Sequence, residues 1–585
     1  MKIPPDISIG GLVRAATLVK KFFAVAGLLL LSLSVSAQPN PNSIIYSKHN
    51  LSVSGPGTLR SSTESEVCVF CHTPHNATGD GPLWNHAMSA AAYTPYSSST
   101  LKAVVGQPTG ASKLCLSCHD GTVALGMVGS RPAPIPMQSG AATISSGRSY
   151  IGTDLSAHHP VSFDYNSSYA AANGELRAPS ALAGNVRLDR VGQLQCTSCH
   201  DPHNNQYGSF LVMDNTASAL CVQCHSPNQW AGSAHATSSA VWNGNGAIPW
   251  PHTSGTTVAA NGCENCHRPH AAGSPKRLLN FTPEEQNCLV CHSGTVATKD
   301  IASELNKISV HPVLQTSGIH DAAEDPLNAP RHVTCVDCHN PHATKASASP
   351  ALAVTGSLAG VRGVNAAGAV VASISFEYEL CFRCHGDSAG NSATVWVQRQ
   401  YPQTNLRQAF NPGTTSFHPI EVIGKNSSVP SLIPPLSVSS IITCGDCHNN
   451  DQGPVAGGSG PNGPHGSAYA PLLEKMLLLA DGTPYNANNF ALCYKCHSSA
   501  VVDSGSATSW SPHQTHLENY RAACTTCHDS HAASNSPHLI NFNTTYVSPY
   551  NGVIQYVSTG MNHGTCTLTC HDGSGQPITH NAVAY

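Results

Sequence analysis

Twelve times this chain sets two cysteines just ahead of a histidine, and the twelve pairs use all 24 cysteines of its 585 residues. The cysteines are Cys68 and Cys71, Cys115 and Cys118, Cys196 and Cys199, Cys221 and Cys224, Cys263 and Cys266, Cys288 and Cys291, Cys335 and Cys338, Cys381 and Cys384, Cys444 and Cys447, Cys493 and Cys496, Cys524 and Cys527, and Cys566 and Cys570. The histidines next to them are His72, His119, His200, His225, His267, His292, His339, His385, His448, His497, His528 and His571. Eleven motifs read CxxCH, and the last, Cys566-Thr-Leu-Thr-Cys570-His571, holds one extra residue. A closed zinc site takes four ligands, usually from paired knuckles, and needs no histidine after every second cysteine. A disulfide framework scatters its cysteines and is indifferent to the identity of the next residue. The pattern is that of c-type haem attachment: two thiols add across the porphyrin vinyl groups, and the adjoining imidazole becomes the proximal ligand of the iron. The expected cofactor is haem c, about twelve per chain, with the extra residue at Cys566 absorbed in the loop that clasps the ring.

The motifs alternate between two classes, so the chain reads as six tandem doublets. The first of each doublet is followed by a near-copy of His-x-Pro-His, as in CHTPH at His72 and CHDPH at His200, with CHNND at His448 and CHDSH at His528 as variants. The second is mostly introduced by Leu-Cys, as in LCLSCH and LCFRCH. Of 33 histidines, 21 lie outside the motifs and are available for twelve distal positions. One set stands three residues after the motif histidine: His75, His203, His270, His342 and His531, with His465 substituting where Asp451 occupies the position. Such a histidine is too close to reach over its own haem and must serve another, most simply the partner in its doublet. The second set lies upstream of each doublet: His49, His159, His252, His311, His418 and His513, or His516 beside it. His159, His311 and His418 are each followed by proline, which holds the ligand in an extended segment. Nine histidines remain spare, among them His86, His158, His235, His320, His332, His538, His563 and His580.

Composition bounds the fold. Only 10% of residues are charged and 6% aromatic, while glycine and proline together number 90, a balance that in another chain reads as loop or disorder. Porphyrins would supply the missing core, one for about 46 residues. The expected fold class is a multihaem cytochrome c: haem-scaffolded, mostly irregular with short α-helices, and little β. The expected units are residues 38–150, 151–232, 233–304, 305–400, 401–505 and 506–585, one doublet in each.

Lys20 and Lys21 precede an apolar run from Phe22 to Leu33, and Val35-Ser36-Ala37 offers a small-residue cleavage site, the pattern of a signal peptide over residues 1–37. The run is short of the ~20 residues that span a bilayer. The mature chain is expected outside the inner membrane: periplasmic, outer-membrane-associated or extracellular, with no transmembrane segment. Removing residues 1–37 takes away four cations and one anion and brings the net charge from −4 to −7, which disfavours nucleic acid as a partner.

The stretches CVFCHTPHN at Cys68, LCLSCHDGTVALG at Leu114, HHPVSFDY at His158 and CTSCHDPHNNQYGSFL at Cys196 resemble the doubled-CxxCH multihaem c-type cytochromes of metal-reducing and related anaerobic bacteria, and the resemblance runs over nearly the whole mature chain. It implies closely spaced bis-histidine, low-spin haems that carry electrons from inner-membrane donors toward outer-surface or extracellular acceptors. It also implies redox partner proteins, among them other multihaem cytochromes or an outer-membrane porin conduit, or self-assembly into filaments. A competing reading is a reductase of nitrite, hydroxylamine or sulfur oxyanions, which needs an iron with an open distal position; no CxxCK motif supports it. No Ser/His/Asp arrangement, phosphate loop or paired-carboxylate site emerges, so the chain reads as an electron carrier and no catalytic residue is assigned.

Overall fold

The computed structural model describes residues 40–138, 143–316, 318–347, 349, 353–391, 394–504, 510–560 and 562–584. The expected signal peptide lies outside the described residues. The fold is mostly irregular, with few helices and little sheet. Two helices exceed seven residues among the described residues, α1 (Gly110–His119) and α2 (Glu377–His385), and each ends on the histidine of a second motif. Elsewhere the motifs sit on single turns, such as Cys221–Gln223, Cys335–Cys338 and Cys524–Cys527. No helix among the described residues is long and apolar enough to cross a membrane.

Local sequence explains the turns. In TCVDCH and TCGDCH the threonine before the first cysteine and the aspartate between the cysteines form a reciprocal cap. The carboxylate of Asp337 accepts from the backbone N–H of Thr334 at 2.7 Å, and that of Asp446 accepts from Thr443 at 2.7 Å. Such a cap satisfies N–H groups that a short turn leaves unpaired.

The chain divides into two compact units. Among the described residues, one comprises 40–88, 123–138, 143–144 and 200–212. Its core is Phe70, Val128 and Ile135, with Leu51 and Met137 against it, and Arg131 pairs with Glu64 at 2.7 Å. The other comprises residues 89–122, 145–199 and 213–585. Its largest apolar cluster gathers Val364, Tyr378, Phe382, Ala409, Phe410, Phe417, Ile420 and Ala532; three smaller ones centre on Leu116, Phe163 and Phe542. Cores of three to eight side chains are small for a unit of several hundred residues, as expected of a chain that wraps its cofactors.

Regular sheet is concentrated at the C-terminal end. Strands β1 (Gln555–Gly560), β2 (His563–His571) and β3 (Pro577–Ala584) form an antiparallel sheet in the order β3-β2-β1. The last motif lies on β2. The clasping loop expected at Cys566 is a strand, and the alternation of Thr565, Thr567 and Thr569 with Cys566, Leu568 and Cys570 gives the reason: it is a two-residue period rich in β-branched side chains.

Candidate haem sites

The CxxCH turn itself brings its three functional side chains together. Eight motif histidines donate their backbone N–H to the carbonyl of the first cysteine at 2.7–3.0 Å: His72, His225, His267, His292, His339, His448, His497 and His528. One tight turn thus gathers two thiols and an imidazole. The six first-motif histidines also share an orienting bond. Their Nδ1 atoms lie 2.8–3.0 Å from the carbonyl oxygens of Pro82, Ser209, Arg277, Ser357, Pro471 and His538. A carbonyl only accepts, so Nδ1 keeps the proton and Nε2 presents its lone pair. In five of the six the residue after the acceptor adopts a left-handed backbone: Leu83, Phe210, Leu278, Leu472 and Leu539. Bulky residues rarely do so, and the repeated turn aims the carbonyl at the ring. Sequence inspection missed this device, although an apolar pair ten or so residues after most first motifs marks it.

Motif histidines then face second imidazoles at a nearly constant separation. Ring centroids lie 6.1 Å apart for His72 and His203, 6.2 Å for His159 and His225, 6.2 Å for His267 and His342, and 6.2 Å for His235 and His292. They lie 6.4 Å apart for His311 and His385, 6.0 Å for His339 and His465, 6.1 Å for His448 and His531, and 6.2 Å for His513 and His528. Two metal–imidazole bonds of about 2 Å, plus about 1 Å from each nitrogen to its ring centre, give about 6 Å. The spacing suits an iron held between two histidines. Burial, reinforced by neighbouring imidazoles, pushes His225, His292, His342, His385, His465, His497 and His531 down to about 4 and His513 to about 3. The rings are therefore neutral near pH 7, the form that binds a metal.

The doubled CXXCH motif family matches residues 190–229 and 256–297. The chain carries the doubled motif of the multihaem c-type cytochromes. No curated protein matches it. The motif indicates covalently bound haem c and a part in electron transfer.

Three details of the chain differ from the expected ligand scheme. First, three of the five histidines that stand three residues after a first motif face the first motif of the preceding doublet, not a partner in their own: His203 faces His72, His342 faces His267, and His531 faces His448. His465, the substitute in doublet five, faces His339 in the same way. Second, His235 and not His252 faces His292. His252 is half-buried, and its Nε2 has no hydrogen-bond partner. Third, the upstream His159 and His311 face the second motifs of their doublets, at His225 and His385, whereas His513 faces the first, at His528. His418 lies near enough to His497 to depress its pKa. His49 stacks on Phe210 at 4.1 Å, and His270 lies beside His158, Nδ1 to Nδ1, at 3.3 Å. His75 is exposed.

The upstream histidines are anchored beside the next doublet. Nδ1 of His49, His235 and His311 donates to the carbonyls of Pro202, Pro341 and Pro464 at 2.9–3.1 Å, and that of His418 donates to Ser530 at 2.5 Å. Each acceptor immediately precedes His203, His342, His465 or His531. His159 reaches Pro269, the residue before His270, through its backbone N–H at 2.8 Å.

Cysteines chain the motifs together. In the second unit the first cysteines of the two motifs that flank each junction between doublets lie close enough to shift one another's titration: Cys115 with Cys196, Cys221 with Cys263, Cys288 with Cys335, Cys381 with Cys444, and Cys493 with Cys524. Within doublets the second cysteines are close enough to perturb one another: Cys199 and Cys224, Cys266 and Cys291, Cys338 and Cys384, and Cys447 and Cys496. Cys527 likewise senses Cys566 and Cys570. No two of the 24 cysteines are paired as a disulfide.

Other spare histidines have structural partners. His86 is fully buried, with Nδ1 and Nε2 against the carbonyls of Ala87 and Ala124 at 2.9 and 3.1 Å. His320 and His332 join Glu324 and Asp337, whose carboxylates Arg383 already holds at 3.0 and 2.6 Å. The residues fit haem in another respect. The indole N–H groups of Trp84 and Trp250 are buried without a hydrogen-bond partner, and Trp84 packs edge-on against His72 at 6.0 Å. Both are available to an acceptor such as a propionate.

Proposed function

We propose that the chain carries twelve haems, most or all with two histidine ligands, and that it passes electrons along them as a relay. The observation that carries this reading is the alternating series of cysteine contacts from Cys115 to Cys570. A thioether sulfur sits at the porphyrin edge, so cysteines that lie close together across a junction bring two ring edges together, and the series is continuous through the second unit. The bound haem supplies a one-electron iron couple, and bis-imidazole ligation favours lower potentials than His/Met ligation. The polypeptide's part is to place two imidazoles at each site, to orient them through Nδ1–H bonds and to set the order of the sites. His203, His159, His342, His235, His465, His311, His531, His418 and His513 are the distal ligands this reading assigns to the motifs of His72, His225, His267, His292, His339, His385, His448, His497 and His528. We further propose export by the N-terminal segment, and redox partner proteins on the far side of the inner membrane.

The test is quantitative EPR of the oxidised, mature holoprotein beside a pyridine haemochrome count. Twelve haems with essentially all iron low-spin are expected. A stoichiometric high-spin signal would instead point to an open iron and a reductase.

A further inference from the structure

The twelfth motif departs from the others in conformation as well as in spacing. In eight CxxCH sites the histidine N–H folds back onto the first cysteine's carbonyl. In the last motif Cys566 to His571 runs along β2, paired with both neighbouring strands. Side chains alternate across a strand. Cys566, Leu568 and Cys570 therefore share one face, and His571, next to Cys570, belongs to the other, where it is exposed.

The face that carries the thiols meets a different histidine. His580 on β3 pairs directly with Leu568, midway between the two cysteines. It is 5% exposed, and its Nε2 lies 3.5 Å from Cys570 Sγ. Opposite it stands His516, with ring centroids 6.1 Å apart and planes 24° from parallel. That separation falls inside the 6.0–6.4 Å spread of the eight pairs that include a motif histidine. His516 Nδ1 donates to the Pro512 carbonyl at 2.8 Å, which leaves Nε2 to face His580. His513, three residues earlier, faces His528. The His513-Gln-Thr-His516 segment thus offers one imidazole to each site of the last doublet.

We infer that the haem carried by the Cys566 and Cys570 motif takes His580 and His516 as its axial ligands, and that His571, the histidine of the motif, is not a ligand. The inference rests on the twelve-haem reading. It makes the last site a strand-borne haem whose proximal histidine comes from a neighbouring strand, nine residues beyond the motif histidine.

The test uses the full-length holoprotein and the variants His580→Ala, His516→Ala and His571→Ala. Haem on the Cys566–Cys570 peptide is read by mass spectrometry, and spin state by EPR. The expected result is one equivalent of high-spin iron in H580A and in H516A, reversed by added imidazole, with H571A low-spin throughout. High-spin iron in H571A with H580A and H516A unchanged would overturn the inference alone. A wild-type Cys566–Cys570 peptide free of haem would overturn the twelve-haem reading and the inference with it. If H571A is not loaded with haem, H580A and H516A decide: unchanged spectra in both would overturn the inference.

Discussion

His235 Nδ1 lies 2.9 Å from the carbonyl oxygen of Pro341, the residue before His342. One hydrogen bond thus ties together the two imidazoles that face the two motifs of doublet three, one from upstream of that doublet and one from the doublet after it. Replacing His235 with alanine should create one high-spin iron per molecule and leave the haem count unchanged. His252→Ala, at the position the sequence favours, should leave the EPR spectrum low-spin. The reverse pattern would remove His235 from the scheme.

The same offset separates two histidines that share a His-x-Pro-His-Asn context. His203 faces His72 in the preceding doublet, whereas His75 stands in the first doublet and is exposed. His203→Ala should yield one carbon-monoxide-binding haem, and His75→Ala none. Equal effects would contradict the preceding-doublet rule.

In doublets four and five a cation inside the second motif bonds to the acid inside the first. Arg383 donates to the Asp337 carbonyl at 2.9 Å and Lys495 to the Asp446 carbonyl at 2.8 Å. Lys495 also pairs at 2.8 Å with Glu474, whose side chain is wholly buried. Lys495→Met strands that carboxylate, and breaking a buried pair from one side costs about 3–5 kcal/mol. The double variant Lys495→Met, Glu474→Met should recover most of the loss in a guanidinium melt. A double variant no more stable than the single one would show that the pair matters for reasons other than the stranded charge.

Burial, partly offset by Arg407, pushes the Glu421 carboxyl up to about 7, and its Oε1 has no hydrogen-bond partner. Between about pH 4.3, the ordinary glutamate value, and about pH 7 the folded protein holds a proton that the unfolded chain has released. Stability from this group is therefore full at the acid end and falls as pH rises through that window. Glu421→Gln should flatten the decline in thermal midpoint between pH 5 and pH 8, and parallel profiles for the two proteins would count against it.

Apolar clusters as small as Phe70, Val128 and Ile135 cannot order a chain of this length unaided. Polypeptide produced without haem attachment should show no cooperative melt and should be degraded rapidly by protease; a sharp melt would show that the cores suffice.

How much was legible depended on how local each signal is. A CxxCH turn closes within five residues, so its thiols and imidazole could be read directly. His159, His311 and His418 are marked in the sequence by the proline that comes after each. His235 carries no such mark: Ala236 is next to it, on the turn Ala234–Thr237 that Ser233 caps, and only a bond to a carbonyl 106 residues away positions it. Nearness along the chain favours a partner within the same doublet for each His-x-Pro-His histidine, whereas His203 and His342 face the doublet before their own. The β character of the last motif lay open in its alternating threonines, obscured by the expectation that every cysteine pair forms a turn.

First-motif histidines in doublets one, three, four and five all face an imidazole that occurs later in the chain. The sixth doublet draws on the His513–His516 segment ahead of it. Harm from truncation should therefore run one unit ahead of the cut: removing a doublet from the C-terminal end would open a site in the doublet that remains.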